Sequence, residues 1–229
     1  RQPNNLLAVE YLRAIRALGA QLTPLAYPRT SGVSASSIRA AMRRGGEDAR
    51  AGIPEAARGI FGDTPPMLRE SLEIALLSRL RRMSLAELQG IAGGGDGVAE
   101  RAERAIRTAP SLDALEAEIK TKRYQLSRVR RFLLAAALGL AAEGDSAPPY
   151  IRVLAVNGTG RGLLRQISRA AAIPVVTKPA NVRQACGAPE VLRAMELEAD
   201  ATDFYVLGYS ETRRRAAGSE WRGAVTVKP

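Results

Sequence analysis

The feature that most limits the fold is the spacing of apolar residues between residues 68 and 142. One apolar side chain recurs every three or four residues from 68 to 83, at Leu68, Leu72, Leu76, Leu80 and Met83. The same period returns in 124–142, at Leu126, Val129, Leu133, Ala136 and Leu140. A period near 3.6 residues places such side chains on one face of a helix. The pattern therefore predicts helices with inward-facing apolar sides in the middle of the chain. SLAE (84–87) reads as a capping box that begins one helix, and Ser111 reads as the cap of another.

Two shorter segments have the mixed pattern of α/β proteins. Residues 1–43 read as a helix, a short strand at 21–30, a serine-rich loop and a second helix. Residues 150–179 read as a strand, a glycine turn, a helix and a strand, which predicts a small parallel β-α-β unit. The sequence DTPPM (63–67) reads as a linker. We therefore expect a helix-dominated α/β protein with two domains, residues 1–62 and 63–229.

The composition favours a polyanionic partner and excludes several kinds of site. The 229 residues include 34 Lys and Arg against 23 Asp and Glu, a formal net charge of +11. Such an excess is typical of nucleic-acid binding, and a basic soluble surface is the alternative. The chain has no histidine and one cysteine, Cys186. This composition excludes His-based acid–base catalysis, the usual zinc sites and an intrachain disulfide. We therefore expect no metal ion held by the protein.

The hydropathy pattern gives no sign of a membrane protein. No apolar run approaches the ~20 residues that a membrane span requires, and no signal peptide opens the sequence. We therefore expect a cytoplasmic location and no membrane partner.

The segment SGVSASSIRAAM (31–42) crowds hydroxyl residues against the start of a predicted helix. Ser34, Ser36 and Ser37 could add hydroxyl groups to the free N–H groups of the first turn, where phosphate binds readily. Arg39 lies one turn inside the helix and could fold back to a phosphate at that position. An ordinary serine cap with a solvent-exposed arginine is the alternative, and it is the preferred interpretation of these residues taken alone.

A glycine-rich stretch, NGTGRG (157–162), follows a predicted strand. A dinucleotide fingerprint requires the spacing G-x-G-x-x-G and an acidic residue at the end of the next strand. This sequence has G-x-G-x-G, and Lys178 stands where the acid is needed. The stretch therefore predicts a tight turn between strand and helix and not a cofactor site.

The run KTKRYQLSRVRR (120–131) contains basic residues, one tyrosine and no acidic residue. Its basic members are Lys120, Lys122, Arg123, Arg128, Arg130 and Arg131. Basic side chains interleaved with an aromatic one suit an RNA backbone, and Tyr124 would stack on a base or simply pack. A solvated helix face is the alternative, in which case RNA would contact another surface, for instance Arg161, Arg165 and Arg169.

Five motifs follow one another along nearly the whole chain. They are QPNNLLAVEYLRAI, SASSIRAAM, KTKRYQLSRVRRFLL, IRVLAVNGTGRGLLRQI with IPVVTKP, and ADATDFYVLGY. In this order they resemble the bacterial tRNA(Met) cytidine acetate ligase family of the HIGH-motif nucleotidyltransferase superfamily. The resemblance implies the end of a Rossmann-like nucleotidyltransferase domain in residues 1–62, followed by a mainly helical tRNA-binding domain.

The resemblance also implies an activity. Enzymes of this family join acetate to ATP, with Mg²⁺, and pass the acetyl group of acetyl-adenylate to N4 of the wobble cytidine of elongator tRNA(Met). Displacement at the α-phosphate needs positioning and charge neutralisation, and acetate is already an anion, so no general base is required.

Particular residues match the family's motifs. Ser34, Ser36, Ser37 and Arg39 match a signature of the I-S-S-T-x-x-R type, which implies that they lie where the ATP phosphates are held. Asn4, or Asn5, and Arg29 match further ATP contacts. The basic run 120–131 falls in the region that the resemblance assigns to tRNA.

Two departures from the family pattern affect these expectations. The family's G-x-N-P-x-H-x-G-H segment cannot be present in a chain without histidine, so we expect the C-terminal portion of such an enzyme, weak in ATP binding and inactive alone. Between Arg29 and Ser34 the family carries a longer segment with G-Y-H, where this chain has TSGV (30–33). A non-catalytic tRNA-binding module and another adenylyltransferase of the superfamily are the alternatives.

Overall fold

A computed structural model of the protein describes residues 3–27, 34–44, 52–62, 67, 69–142, 148–185 and 188–227. The chain divides into two compact units, residues 1–59 and 60–229. None of the helices in the described ranges combines the length and the apolar character that a membrane span requires.

The first unit contains helices and extended chain. Its helices are α1 (Pro3–Ala17), α2 (Ala35–Arg43) and the start of α3 (Glu55–Gly62). Gly19 has a φ of +59°, a left-handed conformation that suits glycine after a helix end. The predicted strand at 21–30 is not formed in its described part: residues 21–27 pair with no described strand, and 28–30 lie outside the described residues.

The helical part of the second unit follows the predicted apolar period. A 3₁₀ turn (Arg69–Leu72) leads into α4 (Glu73–Arg81), α5 (Leu85–Gln89), α6 (Val98–Thr108), α7 (Leu112–Ile119) and α8 (Leu126–Leu138). These helices share one core, whose fully buried members include Leu80, Leu88, Ile106, Leu115, Ile119 and Phe132. The helix-dominated prediction is therefore confirmed for this region.

Local capping chemistry sets the starts of two of these helices. The Ser84 side chain accepts a hydrogen bond from the Glu87 N–H while the Glu87 carboxylate accepts one from the Ser84 N–H at 2.7 Å, a capping box. The Ser111 hydroxyl oxygen accepts from the Ala114 N–H at 3.1 Å. Both serines were predicted as caps, because their side chains satisfy N–H groups that the helix leaves free.

The last part of the second unit is α/β. It contains β1 (Ile151–Arg152), β2 (Ala155–Val156), α9 (Gly158–Ala170), β3 (Val175–Val176), α10 (Val182–Ala185), α11 (Pro189–Val206), α12 (Ser219–Arg222) and β4 (Thr226–Val227). Strand β1 pairs with β3 in parallel across α9, as predicted. Strand β2 pairs in parallel with β4 instead. The run 150–156 thus changes partner: the Val153 N–H donates to Val176, and Leu154 accepts from the Thr226 N–H.

A buried carboxylate ties the 3₁₀ turn, α7 and α8 together. Glu116 is 4% exposed and is the one charged residue in the core of the described chain. It accepts hydrogen bonds from Arg69 and from the Nε atom of Arg130, the latter at 2.9 Å. Arg69 also pairs with Asp113 at the surface, at 3.2 Å. The carboxylate therefore replaces its lost hydration with two charge-assisted hydrogen bonds.

We expect Glu116→Gln to lower the free energy of unfolding by about 1–3 kcal/mol, because both arginines lose a charged partner inside the core. Asp113→Asn is the matched control, since its side chain is 86% exposed and an exposed ion pair contributes below about 1 kcal/mol. Urea unfolding followed by circular dichroism measures both changes. Equal, small losses in the two variants would contradict a structural role for Glu116.

Candidate functional site

The start of α2 is a capping box made by two serines. The Ser34 hydroxyl oxygen accepts a hydrogen bond from the Ser37 N–H at 3.0 Å, and the Ser37 hydroxyl oxygen accepts from the Ser34 N–H at 3.0 Å. The Ser37 hydroxyl also donates to the Ser34 carbonyl at 2.7 Å. These two side chains therefore cap the helix. Capping is the alternative to phosphate binding that the sequence analysis gave for this segment.

Ser36 and Arg39 remain exposed at the same helix end. The Arg39 Nε atom donates to the Ala35 carbonyl at 3.2 Å, so the side chain folds back along the first turn of α2. This first turn carries no acidic residue. Together, an exposed hydroxyl, a guanidinium group and helix N–H groups make an end that suits an anion.

The other ATP residues implied by the family resemblance are described only in part. Asn5 lies in the first turn of α1 and is exposed. The side chain of Asn4, the whole of Arg29 and the shortened segment 30–33 lie outside the described residues. Whether these groups approach the start of α2 therefore stays a prediction.

The basic run receives acidic partners from elsewhere in the chain. Asp96, in the glycine-rich loop before α6, pairs with the Arg128 Nη2 atom at 2.9 Å and with the Arg123 Nη2 atom at 3.8 Å. The hydrogen bond from Arg128 and the positive charges of Arg128 and Arg123 hold the pKa of Asp96 below its usual range. Arg130 is paired with Glu116. Three of the six predicted cations are thus partly neutralised.

Tyr124 packs in the core. It is 7% exposed, and its hydroxyl donates to the Asp96 carbonyl. The guanidinium carbons of Arg123 and Arg128 lie 5.7 and 5.4 Å from its ring centre, within reach of a cation–π contact. Of the two roles that the sequence left open to Tyr124, this arrangement favours packing over stacking on a base.

Three cations of the run are left at the surface. Lys120, Lys122 and Arg131 are exposed, and the ion pairs within the described residues do not include them. The assignment of 120–131 to tRNA stays a prediction, and these three residues are its best-placed members.

The glycine stretch 157–162 forms the first turn of α9. Asn157 precedes the helix, and its side-chain oxygen accepts a hydrogen bond from the Gly160 N–H at 2.8 Å. A Cβ atom at Gly160 would lie 3.6 Å from the Val156 side chain, so β2 and the helix approach closely there. Among the described residues, no group of three or more Cys, Asp or Glu is placed to hold a metal ion.

Comparison with known proteins identifies the family. A model of the HIGH Nucleotidyl Transferase family matches residues 1–220. The chain belongs to this family. The matched residues include the α2 serines, Arg39, the basic run and the C-terminal α/β part as far as residue 220.

Two proteins of similar sequence carry the same name. The tRNA(Met) cytidine acetate ligase of Acetivibrio thermocellus is 29% identical, with 98% of this chain and 60% of that protein aligned. The protein of the same name from Syntrophomonas wolfei is 28% identical over 96% of this chain and 59% of its own length. The resemblance stated from the motifs is therefore confirmed. The chain spans about three-fifths of the length of these curated relatives.

Solved structures of similar fold agree. Thermotoga maritima TmcAL bound with alpha-thio ATP superposes with a TM-score of 0.85 at 24% identity, covering 99% of this chain and 60% of that one. The apo form of the same protein gives a TM-score of 0.82 at 22% identity. The predicted fold class, a helix-dominated α/β protein of nucleotidyltransferase type, is confirmed.

Proposed function

We propose that this chain works in the ATP-dependent acetylation of tRNA(Met), as a tRNA(Met) cytidine acetate ligase. The observation that carries the proposal is the similarity to proteins of that name over 98% of the chain. Acetate would attack the α-phosphate of ATP, forming acetyl-adenylate and releasing pyrophosphate. N4 of the wobble cytidine of elongator tRNA(Met) would then take the acetyl group and release AMP.

The start of α2 supports the adenylation step. Ser36, Ser37, Ser34 and Arg39 present hydroxyl, N–H and guanidinium groups at one helix end. Such groups neutralise the charge that develops on phosphate oxygens as pyrophosphate leaves. Asn4, Asn5 and Arg29 are the proposed further ATP contacts. Mg²⁺ would arrive on the ATP phosphates, because it retains several waters and needs few protein ligands.

The second unit supports RNA binding. Lys120, Lys122 and Arg131 are exposed cations that suit phosphate groups. Asp96 and Glu116 neutralise part of the positive charge of Arg123, Arg128 and Arg130. The charge that remains on these arginines would add to this surface. We accordingly assign nucleotide chemistry to residues 1–62 and tRNA binding to residues 63–229, in a cytoplasmic enzyme.

The test combines two assays of the full-length protein. Acetate-dependent exchange of labelled pyrophosphate into ATP reports adenylation, and mass spectrometry of nucleosides from treated tRNA(Met) reports N4-acetylcytidine. Both signals should depend on acetate, and a tRNA with uridine at the wobble position should give no product. Exchange driven by another acid would favour a different adenylyltransferase, and tRNA binding without exchange would favour a non-catalytic module.

A further inference from the structure

Helix α9 separates its apolar and basic residues onto opposite sides. At about 100° per residue, Leu163, Leu164 and Ile167 fall on one side. Arg161, Arg165 and Arg169 recur every four residues and fall on the other side, centred roughly 140° from Gly160. Because Gly160 lies against Val156 of β2, the arginine side points away from the strand.

The arginine side of α9 is open and carries no compensating charge. All three arginines are exposed, and α9 contains no acidic residue. The ion pairs and side-chain hydrogen bonds of the described residues engage none of the three guanidinium groups, in contrast to those of Arg123, Arg128 and Arg130. The neutral polar residue Ser168 also lies on this side, and Gln166 lies at its border. We call Arg161, Arg165 and Arg169 the α9 arginine face.

The chemistry of this face fits a phosphate chain. Successive arginines are about 6 Å apart along the helix axis, so the three charges extend over about 12 Å. Arginine binds phosphate through two parallel N–H groups, which makes it well suited to a nucleic-acid backbone. A protein partner would require a buried apolar or aromatic anchor, and the arginine side of α9 has none.

We propose that the α9 arginine face binds the phosphate backbone of the tRNA. The identity of the RNA rests on the proposed function, whereas the phosphate contacts rest on the geometry of α9. Asp96 and Glu116 partly neutralise the basic run 120–131. The α9 arginine face lies outside that run and supplies positive charge that these carboxylates do not neutralise.

The experiment compares three triple variants of the full-length protein in a tRNA(Met) filter-binding assay over a salt series. The first replaces Arg161, Arg165 and Arg169 by Gln, and the second replaces the same residues by Lys. The third replaces Arg13, Arg213 and Arg214 by Gln, which removes equal charge from arginines that pair with Glu10 and Glu211. Thermal melting checks that all three variants are folded.

We expect the first variant to lose about tenfold or more in affinity near 0.1 M salt. The slope of log K against log salt should flatten by about 2–3, because each phosphate contact contributes roughly 0.7–0.9. The lysine variant should keep most of the slope, and the control should match the wild type.

Other results would overturn the inference. Equal losses in the first and third variants would mean that only total charge matters. No loss in the first variant would place the backbone on another surface, and a wild-type protein that does not bind tRNA would refute the proposal itself. Failure of the proposed ligase activity would look different: acetyl transfer would be absent while RNA binding still depended on the α9 arginine face.

Discussion

In the full-length protein, replacing Arg39 by alanine should slow acetate-dependent ATP–pyrophosphate exchange roughly a hundredfold and leave the affinity for tRNA(Met) unchanged. The guanidinium group of Arg39 is held at the first turn of α2 by the bond from Nε to the Ala35 carbonyl. Its remaining N–H groups would then face the phosphates as charge develops during displacement. Removal of one donor that is already in place for the transition state typically slows a reaction about 10²–10³-fold.

Two further variants separate this role from helix capping. Arg44→Ala removes the same charge at the other end of α2 and should leave exchange unchanged. Ser36→Ala removes a hydroxyl that takes no part in the Ser34–Ser37 capping box, so it should slow exchange without lowering the melting temperature. Ser37→Ala, by contrast, should also cost about 0.5–2 kcal/mol of stability through the lost cap. Normal exchange in both Arg39→Ala and Ser36→Ala would leave α2 as a capped helix only.

The features predicted correctly from the sequence are those set by local chemistry. Helix α5 begins after Ser84, which forms a capping box with Glu87, and α7 begins after Ser111. In both cases a nearby side-chain oxygen satisfies an N–H group that the helix leaves free. The apolar period from Leu72 to Met83 predicts buried residues because helix geometry alone decides which side chains share a face.

Features that depend on distant partners were not predictable. The β-rich run 150–156 reads as one strand, but it divides because β2 pairs with β4, about seventy residues later in the sequence. No pattern within seven residues records which backbone lies alongside. Similarly, residues 21–27 have an extended sequence but no described strand beside them, and a strand requires a hydrogen-bonded partner.

In the candidate sites, too, local features were predictable from the sequence and long-range contacts were not. The return of Arg39 to its own helix start is a local event, and spacing predicts it. The basic run looks free of acids only along the sequence, because Asp96 and Glu116 reach it from a loop and from another helix. A signal for Glu116 exists: it shares the apolar side of α7 with Leu112, Leu115 and Ile119. A carboxylate at such a position indicates a buried partner of opposite charge.

The loop that carries Asp96 gives the second large expected effect, a loss of stability in Gly94→Ala. A Cβ atom at Gly94 would lie 2.5 Å from the Leu88 carbonyl oxygen, 3.1 Å from that of Ile91 and 3.2 Å from the Phe132 ring. Two of these neighbours are backbone atoms and the third is fully buried, so the loop itself must move. Overpacking of this kind typically lowers the free energy of unfolding by about 1–3 kcal/mol.

Gly95→Ala is the matched control one residue further along. No atom lies within 4 Å of a Cβ at Gly95, and its φ is outside the left-handed region. We therefore expect a gain in stability of about 0.4–1 kcal/mol, because alanine restricts the unfolded chain. Urea unfolding of both variants measures the difference. Equal stability would show that the loop accepts a side chain at Gly94 by a small rearrangement. A large loss confined to Gly94→Ala would show that the loop is held rigidly against α8, where it carries Asp96 beside Arg123 and Arg128.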